Sequence, residues 1–362
     1  MFKARYFTLS LMLTAVFFSN ADARDLTFFV WSDSHHGACD YTDTTRLAIV
    51  ADMNNLPGQY YPSGTLPGVV VGEPIFILHC GDLTEHGYPS EWDSPSLADQ
   101  RSYLQTIAHF DPNYDTHECL GNHDLRYPPN TIRSLFEAKN GGSYYSFTEQ
   151  GVHLVVLDPY PYDNITAPEL DSTQLSWLEN DLDSLPEGTP IIIAMHIHPN
   201  ADATNFDVTG KLGSTSSAAL WNIIADKNVL TFFHGHGHRV IHTYWNGVDV
   251  LSPAGYAYSD ADVACDVTGL DPTFGVVRIT DDHITIFCYD WSHNQFWPDP
   301  RINKTITDVV TLPCGGRGLP VGDISGPQEQ PDCYVDLYDL MVIAADWLKC
   351  NDPRPSSGCT GS

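Results

Sequence analysis

Residues 26–35 read Leu-Thr-Phe-Phe-Val-Trp-Ser-Asp-Ser-His (LTFFVWSDSH). The first six are dominated by Leu, Phe, Val and Trp. A strand with one wet face would alternate polar and apolar residues, so this run predicts a strand covered on both faces. The run stops at Ser32. Asp33 and His35 follow, two apart, and in extended chain residues i and i+2 point to the same side. A buried strand that ends in side chains able to ligate a metal is the unit from which the rest of the chain is read.

The unit recurs four times. Residues 74–80 run into Gly81-Asp82. Residues 116–120 run into Gly121-Asn122-His123-Asp124. Residues 190–195 run into His196-Ile197-His198, and 229–234 into Gly235-His236-Gly237-His238. Another apolar run covers 152–157. Amphipathic helical patterns cover 97–110, 172–185 and 216–227. Strands alternating with helices predict an α/β layered sheet. Residues 275–290 predict a hairpin turning at Asp281-Asp282. In open α/β sheets ligands bind at the carboxyl ends of strands, so the five clusters are expected to converge.

Composition narrows the function. The chain has 362 residues, 42% apolar and 12% aromatic, enough to bury a sizeable core. Acidic residues outnumber basic ones 46 to 17, a formal charge of -29. That argues against a nucleic-acid polymer as partner, which needs a basic footprint. It also disfavours docking onto anionic lipid. A phosphate-bearing substrate stays open, because bound cations invert the charge of a local site.

The clusters hold carboxylates, imidazoles and one Asn carbonyl. Such a mixed set suits Fe, Mn or Zn better than an all-oxygen calcium cage. One Asp-x-His alone is usually a cap or a surface turn, and one GHGH alone a His-rich tract. Five in order, each at a strand end, form a specific pattern. No GxSxG elbow is present for serine hydrolysis.

The series DxH, GD, GNHD, H and GHxH resembles that of the calcineurin-like metallophosphoesterase superfamily. The resemblance covers about 24–312, with lesser echoes at Leu157-Asp158 and at Gln174–Leu178. It implies a layered β-sandwich flanked by helices. It implies two metal ions, one held by Asp33, His35, Asp82 and His238, the other by Asp82, Asn122, His196 and His236. His198 is a weaker substitute for His196. His123 would stand beside the scissile phosphate as general acid, and Asp124 would orient or polarise it. A hydroxide held between the two cations would attack a phosphate mono- or diester. One departure stands out: the purple acid phosphatase branch has a Tyr three residues after the bridging Asp, and here that residue is Glu85, so an iron–tyrosinate centre is not expected. The alternative is a non-catalytic metal-binding scaffold displayed through the C-terminal module. Such scaffolds would be expected to lose His123 or some ligands, and here every position is filled.

The ends carry further expectations. Lys3 and Arg5, an apolar stretch over 6–18 and Ala21-Asp22-Ala23 read as a signal peptide over 1–23. The chain is then exported, periplasmic or extracellular, with no transmembrane segment after cleavage. Among nine cysteines, Cys80 and Cys119 sit in strand-like runs and read as small buried hydrophobes. Cys333 and Cys350 are the expected bridge. Residues 313–320 read as a linker, 321–351 as a small calcium-loop and helix unit, and 352–362 as a tail. In that unit Asp332 and Asp339 fit the second half of an EF-hand-like loop, and Asp323 and Ser325 its start if extra residues intervene. The unit resembles a dockerin module, which implies bound Ca2+ and a cohesin-like or cell-surface partner. Tyr160 and Tyr162 could stack on a substrate ring, with a Pro-rich loop as the plainer reading.

Overall fold

The computed structural model describes residues 23–37, 43–93, 102–126, 131–161, 164–204, 210–253 and 272–306. Two mixed sheets lie face to face, with helices outside them. The first contains β1 (Asp25–Trp31), β2 (Phe76–His79), β3 (Asp115–Glu118), β10 (Thr273–Thr280), β11 (His283–Asp290), β12 (Gln295–Phe296) and β13 (Ile302–Thr305). Its order is β12-β11-β10-β1-β2-β3, with β13 also on β11. The second contains β4 (Tyr145–Glu149), β5 (Val152–Val156), β6 (Ile191–Ala194), β7 (Val229–Phe233), β8 (Ile241–Trp245) and β9 (Val248–Ser252), in the order β4-β5-β6-β7-β9-β8. The helices are α1 (Asp43–Asn55), α2 (Pro89–Trp92), α3 (Tyr103–Ile107), α4 (Thr131–Asn140), α5 (Ser172–Asp183) and α6 (Ser214–Ile224).

Alternation along the strands builds the layers. Leu26, Phe28 and Val30 of β1 point into the core between the sheets, with Leu154, Ala194 and Phe233 from the other side. Phe29 and Trp31 point outward and pack with Ile49, Val50 and Met53 of α1. On the second sheet Ile192 and Ala194 face inward, and Ile191 and Ile193 face outward to Leu178 of α5 and Leu220 of α6. Both faces of each central strand are thus covered, which is why these strands read as unbroken apolar runs. At about 25 cal/mol per Å2 of apolar surface, each such Phe or Ile contributes about 1.5–3 kcal/mol.

The six expected strands are present within a residue or two, and the 275–290 hairpin is β10–β11, paired from Thr273↔Asp290 to Ile279↔Ile284. The helix expected over 97–110 is shorter where described: α3 starts after Ser102, whose hydroxyl caps the amide of Gln105. The helices expected over 172–185 and 216–227 end at Asp183 and Ile224. Cys80 and Cys119 are buried free thiols, as is Cys288. No described helix is long and apolar enough to cross a membrane. Residues 1–22 of the signal peptide expected over 1–23, and everything after 306, including Cys333 and Cys350, lie outside the described residues.

Candidate metal centre

β1 and β2 are parallel neighbours in the first sheet, and β6 and β7 in the second, so the loops after each pair emerge at one edge of their sheet. Asp33 N donates to Gly81 O at 2.9 Å and His35 N to Asp82 O at 3.0 Å, which lays the first two motifs side by side. Gly235 N donates to His196 O at 2.9 Å, joining the last two. His236 N donates to Asp33 Oδ1 at 3.0 Å and crosses from one sheet to the other.

The seven expected ligands come together in two groups that share Asp82. Asp33, His35, Asp82 and His238 offer donor atoms within 4.8 Å of one another, as do Asp82, His196 and His236. His35 Nε2 and His238 Nε2 face each other at 3.1 Å, and His238 Nε2 is 3.4 Å from Asp33 Oδ1. In the second group Asp82 Oδ2 is 3.1 Å from His196 Nε2. Asn122 Oδ1 lies 3.1 Å from His196 Nε2 and 3.0 Å from His236 Nδ1. Asp82 Oδ2 is also 3.8 Å from His35 Nε2, which puts this one oxygen between the groups. It is buried and makes no well-aligned hydrogen bond, its close neighbours being the ring nitrogens of His196 and His35. A buried carboxylate oxygen surrounded by imidazole nitrogens is a donor set that a cation would complete, so the residues fit two metal ions with Asp82 between them. His198 is turned elsewhere: its Nε2 meets Thr243 Oγ1 at 2.8 Å and its Nδ1 accepts from Asn200 N.

The backbone is bent to achieve this. Asp33, His35, Asp82, His236 and His238 all have φ between 43° and 63°. A non-glycine residue there costs of order 1–3 kcal/mol and persists only where its surroundings over-determine it. Those surroundings are visible. Ser32 Oγ donates to Asp33 Oδ2 at 2.5 Å, and Cys80 O accepts from His196 Nδ1 at 2.7 Å, leaving Nε2 for the centre. The buried Arg46 donates from Nε to Ser34 O at 2.8 Å and from its guanidinium to His35 O. Two glycines allow close approach. A Cβ on Gly121 would lie 2.1 Å from Asp82 N, and one on Gly235 would lie 1.9 Å from Ser32 Oγ.

Electrostatics follow from the packing. Burial opposes charge on Asp82, but the imidazoles of His196 and His123 outweigh it and hold the carboxyl well below its usual range. Burial likewise opposes charge on His196, yet Asp82 pushes its pKa up to about 10 in the metal-free protein. Burial and the neighbouring His123 hold His35 down to about 4, and burial with His196 does the same for His236. Two carboxylates, one cationic imidazole and neutral imidazoles are thus gathered in one place. A metal ion held here would need His196 without its proton.

His123 opens a short 3-10 turn, His123–Leu125, and its amide donates to Asp82 Oδ1 at 2.8 Å. Its ring Nδ1 donates to Glu85 O at 2.9 Å. Asp124 joins two loops. Its carboxylate accepts from Gly121 N at 2.9 Å and from Thr84 N and Oγ1 at 2.8 and 2.9 Å, which ties the GD loop to the GNHD loop. It does so from full burial, which with the charge of Asp82 lifts its pKa to about 7. Glu85, met in the sequence only as the residue in place of a tyrosine, is buried beside His35 and His123. Its spacing from Asp82 was the available signal. Arg46 left no such signal. Tyr160 is fully buried, so its ring does not receive a substrate. Tyr162 and the expected calcium residues Asp323, Ser325, Asp332 and Asp339 lie outside the described residues.

The family model for calcineurin-like phosphoesterases matches residues 26–240, more than half of the chain and every strand-end motif. The chain belongs to this family. Purple acid phosphatase 22 of Arabidopsis thaliana is 25% identical over 234 residues, covering 59% of this chain and 49% of that protein. A probable glycerophosphodiester phosphodiesterase of Arcobacter nitrofigilis is 24% identical over 193 residues, covering 50% of this phosphoesterase-family chain and 63% of its relative. The chain therefore spans about half to two thirds of the length of these relatives. Among solved structures, purple acid phosphatase PPD1 from yellow lupin (Lupinus luteus) seeds shares the fold with a TM-score of 0.51 at 14% identity, over 76% of this chain and 53% of that one.

Proposed function

We propose that this chain is an exported phosphoesterase that hydrolyses phosphate mono- or diesters with two transition metal ions, Fe, Mn or Zn. The observation that carries the reading is the placement of one carboxylate: Asp82 is buried, and its Oδ2 stands between two groups of side chains able to ligate a metal. Asp33, His35, Asp82 and His238 would hold one ion, and Asp82, Asn122, His196 and His236 the other. The pair, when bound, supplies the positive charge that phosphoryl oxygens need and acidifies water to serve as nucleophile.

The chain's own residues supply the rest. With Nδ1–H of His123 committed to Glu85 O, Nε2 is the ring atom left to give a proton to the departing oxygen. Burial would lower the pKa of His123, but Asp82 and Glu85 reverse that and raise it, which favours the acid form. Asp124 keeps the two loops in contact. The relatives include both a phosphatase and a phosphodiesterase, and their names leave the ester class open. Glu85 stands where the purple acid phosphatase branch has its tyrosine, so this protein should lack that branch's charge-transfer colour. Export rests on the Lys3, Arg5 and Ala21-Asp22-Ala23 pattern, and residues 321–351 are proposed to dock the enzyme to a surface or partner.

The test is metal content by elemental analysis together with turnover of para-nitrophenyl phosphate and bis-para-nitrophenyl phosphate, with and without chelator. Two transition metals per chain and chelator-sensitive turnover are expected. No metal after reconstitution would sink the reading, and two metals without turnover would favour the scaffold.

A further inference from the structure

Two buried thiols meet directly beneath the metal centre. Cys80 stands two residues before Asp82, and Cys119 three before Asn122. β2 and β3 are parallel neighbours, paired from Phe76↔Asp115 to His79↔Glu118. One step further, that register sets Cys80 against Cys119, and the Cys119 amide still donates to His79 O at 2.7 Å. Both side chains are fully buried in the core between the sheets, and the two thiols are in hydrogen-bonding contact. Neighbouring strands lie about 4.8 Å apart. That falls inside the range of about 4.4–6.8 Å between Cα atoms that a disulfide bridges. Cys80 also serves the site through its backbone. Its carbonyl accepts from His196 Nδ1 at 2.7 Å and from Ser32 Oγ at 3.4 Å. A shift of Cys80 is therefore felt by a ring expected to ligate metal.

We propose that Cys80 and Cys119 form a reversible disulfide that weakens metal binding: the bond draws the ends of β2 and β3 together and shifts the carbonyl that holds His196. The inference rests on the two-metal reading and on export, because thiols are oxidised outside the cytosol. The oxidant is a small disulfide such as oxidised glutathione. One cysteine sulfur, as thiolate, attacks it and displaces one glutathione thiolate. The second cysteine sulfur then attacks the mixed disulfide and displaces the other. The Cys80 Sγ–Cys119 Sγ bond forms and the glutathione S–S bond breaks. Two electrons and the two thiol protons end on two glutathione thiols. Access comes from the fold: β3 is the edge strand of its sheet and only four residues long, so local opening there uncovers the pair.

The experiment equilibrates the chelator-stripped, full-length chain with reduced and oxidised glutathione over a range of ratios. Peptide mass mapping reads the Cys80–Cys119 linkage. Mn2+ titration of the fully reduced and fully oxidised chains reads metal affinity. The linkage is expected to form, and one of the two Mn2+ affinities to fall by about 10-fold or more, the usual cost of losing a group that orients a ligating imidazole. Linkage requires the reverse effect. Saturating Mn2+ should shift the pair toward its thiols by the same factor, which is about 30 mV for a two-electron couple. Cys119→Ala should bind Mn2+ equally well under both conditions, and Cys119→Ser decides if that variant does not fold. Absence of the linkage, a linkage that leaves both affinities unchanged, or a variant that still responds to glutathione would overturn the proposal. Failure of the parent reading looks different: the reduced, unmodified chain would then bind no Mn2+.

Discussion

His123 and Asp82 sit 41 positions apart and are joined by a 2.8 Å hydrogen bond, yet they should fail in different ways. His123→Ala removes a proton donor and no metal ligand. It should keep both ions and lower turnover by roughly 10^2–10^4-fold. Asp82→Ala removes the shared carboxylate and should lose metal outright. Elemental analysis beside steady-state turnover separates the two, and equal metal loss in both variants would contradict the division of roles. Gly121 offers a finer probe. Its missing Cβ is the space that Asp82 occupies, so Gly121→Ala should push Asp82 and Asn122 apart and reduce metal content while the far-ultraviolet circular dichroism stays unchanged. A variant loaded with two metals would show that the loop yields more easily than its packing suggests. The ligands themselves were legible in the sequence, because each follows an apolar run at fixed spacing. Their left-handed backbones, and the Arg46 and Glu85 side chains that hold them, were not.

At the scale of elements, β13 and β9 are tied across the sandwich. Lys304 Nζ donates to Leu230 O at 2.8 Å and to the carboxylate of Asp249, which also accepts from His242 Nε2 at 2.7 Å. Burial opposes the charge of Asp249, but the hydrogen bond from His242 and the Lys304 ammonium outweigh it, and its pKa lies below the ordinary 3.8. A depressed carboxyl pKa contributes stability above the unfolded value, and that stability is lost as pH falls through the folded value. Asp249→Asn should therefore cost about 1–3 kcal/mol near pH 7 and progressively less below about pH 4. Urea unfolding at pH 7 and pH 3 checks this; a cost that does not shrink at the lower pH would show that packing, not charge, is at stake. The same buried polar groups explain which elements the sequence hid. Asp249 interrupts the apolar pattern of β9. Arg46 sits one turn before Ile49 and Val50 on the face of α1 turned to the first sheet, and it masks the period of that helix. Residues 51–55 complete α1. The two lesser motifs proved to be one device: Gln174 Oε1 accepts from Asp158 N and its Nε2 donates to Asp158 O, both at 2.8 Å, pinning α5 to the loop after β5.

For the whole molecule, both sheets and all seven expected ligands fall between Asp25 and Thr305. A chain ended after Leu312 should hydrolyse its substrate at the unmodified rate and bind two metals. Loss of both, with a lowered melting temperature, would instead mean that the C-terminal segment packs on the catalytic domain. The strong negative charge adds a constraint. With a formal charge of -29, an anionic ester approaches against the average field of the protein. A pair of metal ions at the strand ends, with the local imidazoles, would reverse that field.

Buried strands alternating with helices, five strand ends bearing side chains able to ligate a metal, and a donor set of mixed nitrogen and oxygen are all legible along the linear chain. These features are local, carried by hydrophobic runs and by spacings of one to three residues. Only the folded chain shows which carboxylate oxygen stands between the two ligand groups, that Asp124 ties the GD loop to the GNHD loop, and that Glu85 faces both His35 and His123. Those facts depend on side chains from different strands meeting in a buried space, and no spacing along one strand encodes which atoms meet.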